Sequence, residues 1–402
     1  MSAPVSRRAL LRATIAAGVL ACSGRVRGAV PASIGVVGGG ILGASIAMHL
    51  AEAGARVTLF ERKAPASGAT LNSFAWVNAF SDDAHYRDLR IESLLAYREL
   101  DQRLKLELVW GGYLDWAKDA ADLEALHANA AMLAHSRFAM QRVLAAEIAR
   151  LDPKLRSGPV IEAFYSKIDA HLDPVFVTQR YLDQAAAHGA EIIYPCEVRG
   201  IDLERGRLAG IRTTRGAFRL QRLVVAAGVD TPTLLAMAGF PLRLKHAPGI
   251  LAHSVALPAA TRLVHDAPGG LSFKQMTNGA LVATDAPNPP DIAAHQGIRD
   301  HVVAMPPELG ALHGARILAK VAGFLPAASG VALERLTLGF RPMPLDELPV
   351  VGAVPGVPDV HVAVTHSGVT LAPILGRYVT QEILTAKRLP VLAPYRPERF
   401  TG

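Results

Sequence analysis

Short β-branched runs and apolar stripes of helical spacing alternate along most of the chain. Ser33-Ile34-Gly35-Val36-Val37 reads as a strand buried on both faces. Leu42, Ile46, Ala47 and Leu50 then share one helical face, and Gly54 stops the pattern. Arg56-Val57-Thr58-Leu59-Phe60 reads as a second strand, so a parallel sheet covered by helices is expected here. Farther on, helical stretches are expected around 91–95 and 123–126, and a strand-like run at 107–114. Asp173 is placed to cap a helix that Pro174 begins. Gly368 opens another that runs through Leu371, Leu375, Val379 and Ile383. Between 236 and 334, short β runs such as 249–253 and 280–283 dominate, and the Pro-rich stretch 286–290 reads as a loop.

Composition narrows the classes. The chain has 402 residues, 50% of them apolar and 19% charged, which excludes wholesale disorder and leaves room for a large core. No run reaches the roughly 18 uninterrupted apolar residues of a membrane-spanning helix. The net charge of +7 is concentrated at one end. Arg7, Arg8, Arg12, Arg25 and Arg27 precede position 33 with no acid among them, and removing these five of the 42 basic residues leaves an excess of only two over the 35 acids. A general nucleic-acid-binding surface is therefore not expected. Two cysteines, Cys22 and Cys196, cannot build a disulfide framework or a Cys-rich metal site. The 14 histidines form no HExxH, so no protein-held metal is expected.

The segment 1–33 has its own pattern. Arg7-Arg8, Leu10 two places on, a weak apolar run over 13–21 and trailing basic charge resemble a twin-arginine export signal. The resemblance implies a periplasmic or exported protein; a short basic helix that leaves the chain cytoplasmic is the alternative. Val19-Leu20-Ala21-Cys22 loosely resembles a lipoprotein cleavage box, with an atypical Leu20.

The first strand enters Gly38-Gly39-Gly40-Ile41-Leu42-Gly43, which fits G-x-G-x-x-G, and the second strand ends on Glu61, 23 positions after Gly38. Gly38 permits the tight turn, Gly40 lets backbone approach a pyrophosphate, and Gly43 allows close helix packing. The helix start at Ile41 and Leu42 offers N–H groups and a positive dipole end to phosphates. Glu61 can accept hydrogen bonds from ribose hydroxyls. Strand, loop, helix, strand and acid in this order point to a bound dinucleotide.

After Glu61 come Arg62 and a loop of small and hydroxyl residues that includes Ala69, Thr70, Asn72, Ser73, Trp76 and Asn78. Here the sequence resembles the D-amino-acid oxidase-like family of FAD-dependent oxidoreductases, with glycine oxidase, sarcosine oxidase and D-amino-acid dehydrogenases. The resemblance returns at Tyr165–Pro174, Cys196-Glu197-Val198 and Leu223-Val224-Val225-Ala226-Ala227-Gly228. It returns again at Gly339-Phe340-Arg341-Pro342, at Leu348–Gly352, and at His366-Ser367-Gly368-Val369-Thr370.

It implies an α/β fold, a Rossmann-like FAD-binding domain with an interleaved antiparallel-sheet substrate domain. The FAD-binding part would comprise 34–85, 150–235 and 335–402, and the substrate-binding part 86–149 and 236–334. Val198, Ala227, Gly228, Arg341, Ser367, Gly368, Val369 and Thr370 would join the glycine loop, Arg62, Ala69, Thr70, Asn72 and Ser73 around the cofactor. Covalently flavinylated members present a Cys or His near the ring; none lies in 68–78, so non-covalent FAD is expected.

For activity, the resemblance implies oxidation of the C–N bond of an amino acid or secondary amine by hydride transfer to the flavin. Arg341 is the expected clamp for a substrate carboxylate, because a planar guanidinium fork matches it; a salt bridge with Asp346 is its structural alternative. His366 is the second catalytic candidate. Trp76, Asn78, Tyr113 and Lys274 are expected in the substrate pocket. The second arginine that glycine-oxidase-like members carry near Ser367-Gly368 is absent. Oxygen or a quinone-type acceptor would take the electrons. The other readings are an electron-transfer subunit of a heteromeric dehydrogenase and a flavin hydroxylase.

Overall fold

The computed structural model describes residues 32–286 and 306–401. The leader with its paired arginines, Cys22 and most of the Pro-rich 286–290 loop lie outside the described residues. The six-stranded sheet runs in the order Val350–Val354, Val357–Val364, Arg222–Val225, Ser33–Val37, Arg56–Phe60, Glu191–Ile193. Its pairings are parallel except between the first two strands. Ile34, Val36, Val57, Leu59, Leu223, Val224, Val360 and Val362 are all essentially inaccessible, as the continuous apolar runs require. Each such side chain contributes roughly 1.5–3 kcal/mol by burial.

The helix Ile41–Glu52 covers this sheet and is buried at ten of its twelve positions. It crosses the helix Gly368–Thr385 closely: Ser45 Oγ donates to Ala372 O at 2.7 Å, and a Cβ on Gly376 would stand 2.4 Å from Ser45 Oγ. A third helix, Ala84–Leu104, ties the same helix at its start. Ser93 Oγ donates to Thr370 O and Tyr97 Oη to Val369 O, both at 2.6 Å. The first turn of Gly368–Thr385 is thereby held from two sides.

The second large sheet has eight strands, in the order Leu333–Phe340, Pro248–Ala256, Ala280–Asp285, Leu271–Gln275, Val264–Ala267, Tyr113–Ala117, Glu162–Ser166, Gln141–Arg142. It is antiparallel apart from the Tyr113–Ala117 and Val264–Ala267 pair. Trp116, Ile250, Phe273 and Leu281 pack from it into one cluster with Ile317, Leu318 and Val321 of the helix Pro307–Phe324.

Two local expectations shift. The strand foreseen at 107–114 begins only at Tyr113, because Glu107 (φ 60°) and Gly112 (φ 92°) break the extended backbone. Glu162–Ser166, in a segment expected for the FAD-binding part, instead pairs antiparallel with Tyr113–Ala117 in the eight-stranded sheet. The helix Pro174–Ala187 starts as foreseen, with Asp173 Oδ1 accepting from Val175 N at 2.9 Å and Phe176 N at 3.1 Å.

Candidate active site

A cleft of about 650 Å³ opens at the ends of the parallel strands, within the range of small-molecule sites. Its first wall is the glycine loop. Gly38 has φ +111°, and a Cβ there would stand 2.4 Å from Ala226 O, so no other residue fits the turn. A Cβ on Gly43 would stand 2.0 Å from Gly38 O. Gly43 therefore does not line the cleft; the close approach it permits is to the loop's own backbone. The helix start at Gly40 carries no side-chain cap and no acid in its first turn, which leaves it receptive to an anion.

Glu61 stands at the end of the second strand with both oxygens engaged. Oε2 accepts from Gly39 N and Oε1 from Lys63 N, each at 2.8 Å. The acid thus shapes the loop, and each oxygen keeps a further lone-pair direction for a hydroxyl. Thr70 Oγ1 accepts from Ile41 N at 3.1 Å, bringing the small-residue loop against the helix start. Arg62 pairs with Asp230 at 2.9 Å, joining the second strand's end to the turn after Gly228. A glycine cradle that a single Cβ would obstruct, a helix start with no acid in its first turn and a carboxylate at the second strand's end together fit an adenine dinucleotide.

Most expected site residues converge here. Gly38, Gly40, Ile41, Leu42, Glu61, Arg62, Ala69, Thr70, Asn72, Ser73, Trp76, Asn78, Val198, Ala227, Gly228, Arg341, His366, Ser367, Gly368, Val369 and Thr370 all line the one cleft. The Arg341 side chain donates from Nε to Ala247 O at 3.3 Å and from Nη2 to Pro248 O at 3.1 Å. His366 is solvent-exposed at the open cleft, with protein on several sides. Loss of hydration beside that protein, then the charges of Arg341 and Arg90, lower its pKa to about 4, so it is neutral near pH 7.

Tyr113 and Lys274 are corrections, since neither lines the cleft. Tyr113 lies behind Trp76, stacked on it at 4.6 Å, and its hydroxyl meets Asp115 Oδ2 at 3.0 Å and Asp266 Oδ2 at 2.8 Å. Lys274 is fully buried behind Phe74 and Ala75, donating to Ala75 O at 3.2 Å and Leu172 O at 3.4 Å. Burial lowers its pKa to about 7. Both alternate correctly onto the inner face of their strands; the layer that covers them is supplied by the distant 74–76 segment. Asp169, also buried, accepts from Trp76 Nε1 at 2.9 Å and from Ser166 Oγ, and burial raises its pKa to about 7.

Arg90 is one of several lining residues that the expected set did not include. Arg90 is buried, and it donates to Asn78 O, Asn78 Oδ1 and Ser367 Oγ. The readable signal was a basic residue inside the stripe Tyr86, Arg90, Ser93, Tyr97, where helical spacing puts all four on one buried face. Among the described residues, no group of three or more His, Cys, Asp or Glu side chains is arranged to hold a metal ion.

The same architecture occurs in solved proteins. The L-proline dehydrogenase of P. horikoshii superposes with a TM-score of 0.80 at 22% identity, over 92% of this chain and 98% of that one. The family model for FAD dependent oxidoreductases of the DAO type matches residues 33–382, and the chain belongs to that family. It is an FAD-dependent oxidoreductase. Among characterised and uncharacterised relatives, it is 27% identical to the uncharacterized oxidoreductase YurR of Bacillus subtilis (strain 168), over 90% of this chain and 97% of that protein. It is 25% identical to the glycine oxidase of Bacillus licheniformis, over 87% of this chain and 92% of that protein.

Proposed function

We propose that this enzyme oxidises the C–N bond of an amino acid or of a secondary amine bearing a carboxylate. The observation that carries the reading is Arg341: it lines the cleft and bonds to the backbone carbonyls of Ala247 and Pro248; among the described residues no acid forms an ion pair with it, and Glu347 acts on it only at longer range. Glycine oxidase and iminodiacetate oxidase among the relatives act on substrates of this kind by name.

The glycine loop and the start of the helix Ile41–Glu52 would hold the FAD pyrophosphate, Glu61 the ribose and Val198 the adenine. The loop Ala69, Thr70, Asn72 and Ser73, with Ala227, Gly228 and Ser367 to Thr370, would hold the ring. Bound FAD supplies the hydride acceptor. Arg341 takes the substrate carboxylate in a bidentate grip and so sets the orientation of the α-carbon. His366, kept neutral, accepts a hydrogen bond from the amine without adding a repelling charge. The uncapped N–H groups that begin Gly368–Thr385 place positive potential on the same part of the cleft.

The FAD is held without a covalent bond. Cys196 lies at the ribose end, its N–H donating to Glu61 O at 2.7 Å, and the 68–78 loop has no Cys or His. The segments 34–85, 150–235 and 335–402 carry the cofactor, except that Glu162–Ser166 and residues 335–340 belong to the substrate-facing sheet. Arg7-Arg8 and the apolar run after them direct export of the folded protein, and oxygen or a quinone-type compound takes the electrons. Anaerobic bleaching of the flavin across D-amino acids, secondary amines and opines tests the reading. Bleaching by none of them would favour the electron-transfer-subunit alternative.

A further inference from the structure

Arg90 sits in the cleft assigned above to a carboxylate-bearing amine, and the role given to it rests on that reading. It is 7% exposed. Its Nε donates to Asn78 O at 3.2 Å, Nη1 to Ser367 Oγ at 2.7 Å, and Nη2 to Asn78 Oδ1. Those bonds use three of the five N–H groups of a guanidinium and leave one on each Nη. All the partners are neutral oxygens. Among the described residues no carboxylate lies within ion-pair distance of this charge, and Asp169 acts on it only at longer range.

The rest of the lining sharpens the imbalance. Its acids are Glu61, Glu197 and Asp230. Glu197 pairs with Arg199 at 3.2 Å and Asp230 with Arg62 at 2.9 Å, while Glu61 serves the glycine loop. The lining acids therefore all lie around the dinucleotide loop, where Arg62, Lys63 and Arg199 also line the cleft. Arg90, Ser367, His366 and Arg341 form a second region with two guanidinium charges and no lining acid. His366 lies within electrostatic reach of both arginines and, more weakly, of Glu347, which does not line the cleft, and its Nδ1 is 3.5 Å from Ser367 Oγ.

An enclosed guanidinium without a counter-charge is costly unless a ligand supplies one. We infer that the cleft is built for a substrate with two carboxylates, an amino- or iminodicarboxylic acid, one carboxylate taken by Arg341 and the other by Arg90. Arg90 is set in advance for this task. The helix that carries it is tied through Ser93 and Tyr97 to the first turn of Gly368–Thr385, so its fork is held against the cleft before substrate arrives.

The test uses the full-length FAD-loaded protein and two sulfides that cannot be oxidised at a C–N bond: thiodiacetate, with two carboxylates, and (methylthio)acetate, with one. Dissociation constants are read from the visible flavin spectrum, and anaerobic bleaching by iminodiacetate and N-methylglycine is followed alongside. Wild type should bind thiodiacetate on the order of tenfold to a hundredfold more tightly than the monocarboxylate, the worth of one charge-assisted contact. Arg90→Gln should bring that ratio close to one. Arg90→Lys, which keeps the charge and loses the fork, should give an intermediate ratio, and it serves alone if Arg90→Gln does not retain flavin. Equal affinities in wild type, or a wild-type ratio in the variant, overturn the inference. Failure of the broader reading looks different: no carboxylate-bearing amine bleaches the flavin, whatever the ratio for the sulfides.

Discussion

Asp346 is held by Arg399, whose Nε lies 2.6 Å from Asp346 Oδ2, and so it is not the partner of Arg341. The two arginines divide the work of one stretch of chain. Arg399 fastens the 346–349 loop through Asp346, Leu348 O and Pro349 O. Arg341, five residues before Asp346, lines the cleft with Glu347 acting on its charge only at longer range.

Arg341→Ala should therefore keep the fold and the flavin while losing grip on carboxylate substrates. A charge-assisted bidentate contact at this exposed arginine is worth roughly 1.5–3 kcal/mol, so kcat/KM should fall about tenfold to a hundredfold. The check is activity per bound flavin on an amino acid and on its decarboxylated amine. Equal losses on both would remove Arg341 as the clamp.

Glu61→Ala should weaken FAD binding by roughly 1–3 kcal/mol, since the acid both shapes the Gly39 turn and offers lone pairs to the ribose. Flavin retained on dilution as in wild type would show that neither contribution matters.

Asp115 should make stability fall with rising pH. Burial first, and then the neighbouring charge of Asp266, raise its pKa from 3.8 to about 7. The folded state thus binds the proton more tightly than the unfolded one. The resulting stabilisation is fully present below the unfolded pKa and is lost as pH climbs through about 7. Urea unfolding of wild type and Asp115→Asn at about pH 5 and about pH 8 measures it. The stability of wild type minus that of the variant should drop by about 2–4 kcal/mol across that window. Parallel pH profiles would contradict the assignment.

Acid precipitation should release the FAD into the supernatant, because the 68–78 loop offers no Cys or His to attach it. Yellow colour remaining in the washed pellet would require a covalent link, and His366 would be the first residue to examine.

Replacing Arg7 and Arg8 together with Lys should block export and leave the folded, flavin-loaded protein in the cytoplasm. Wild-type protein found only in the cytoplasm of a host with twin-arginine transport would refute the targeting role.

Local order along the chain determined the strand–glycine-loop–helix–strand unit, the Asp173-Pro174 helix start and the apolar face of Gly368–Thr385. Each depends on neighbours a few residues apart: backbone freedom at Gly38, a side chain that reaches N–H groups two and three residues on, an apolar period of one helical turn. The family motifs likewise marked most residues that line the cleft. Which residues reach it was settled only by tertiary packing. Trp76 shields Tyr113, Phe74 and Ala75 shield Lys274, and Ser367 Oγ faces Arg90 across a separation of 277 residues. Alternation along a strand tells which face a side chain takes, but what lies over that face comes from distant segments. Arg90 shows the same limit from the other side: its helical period places it on a buried face, and only the packing of that helix against the start of another turns the burial into a charge at the cleft.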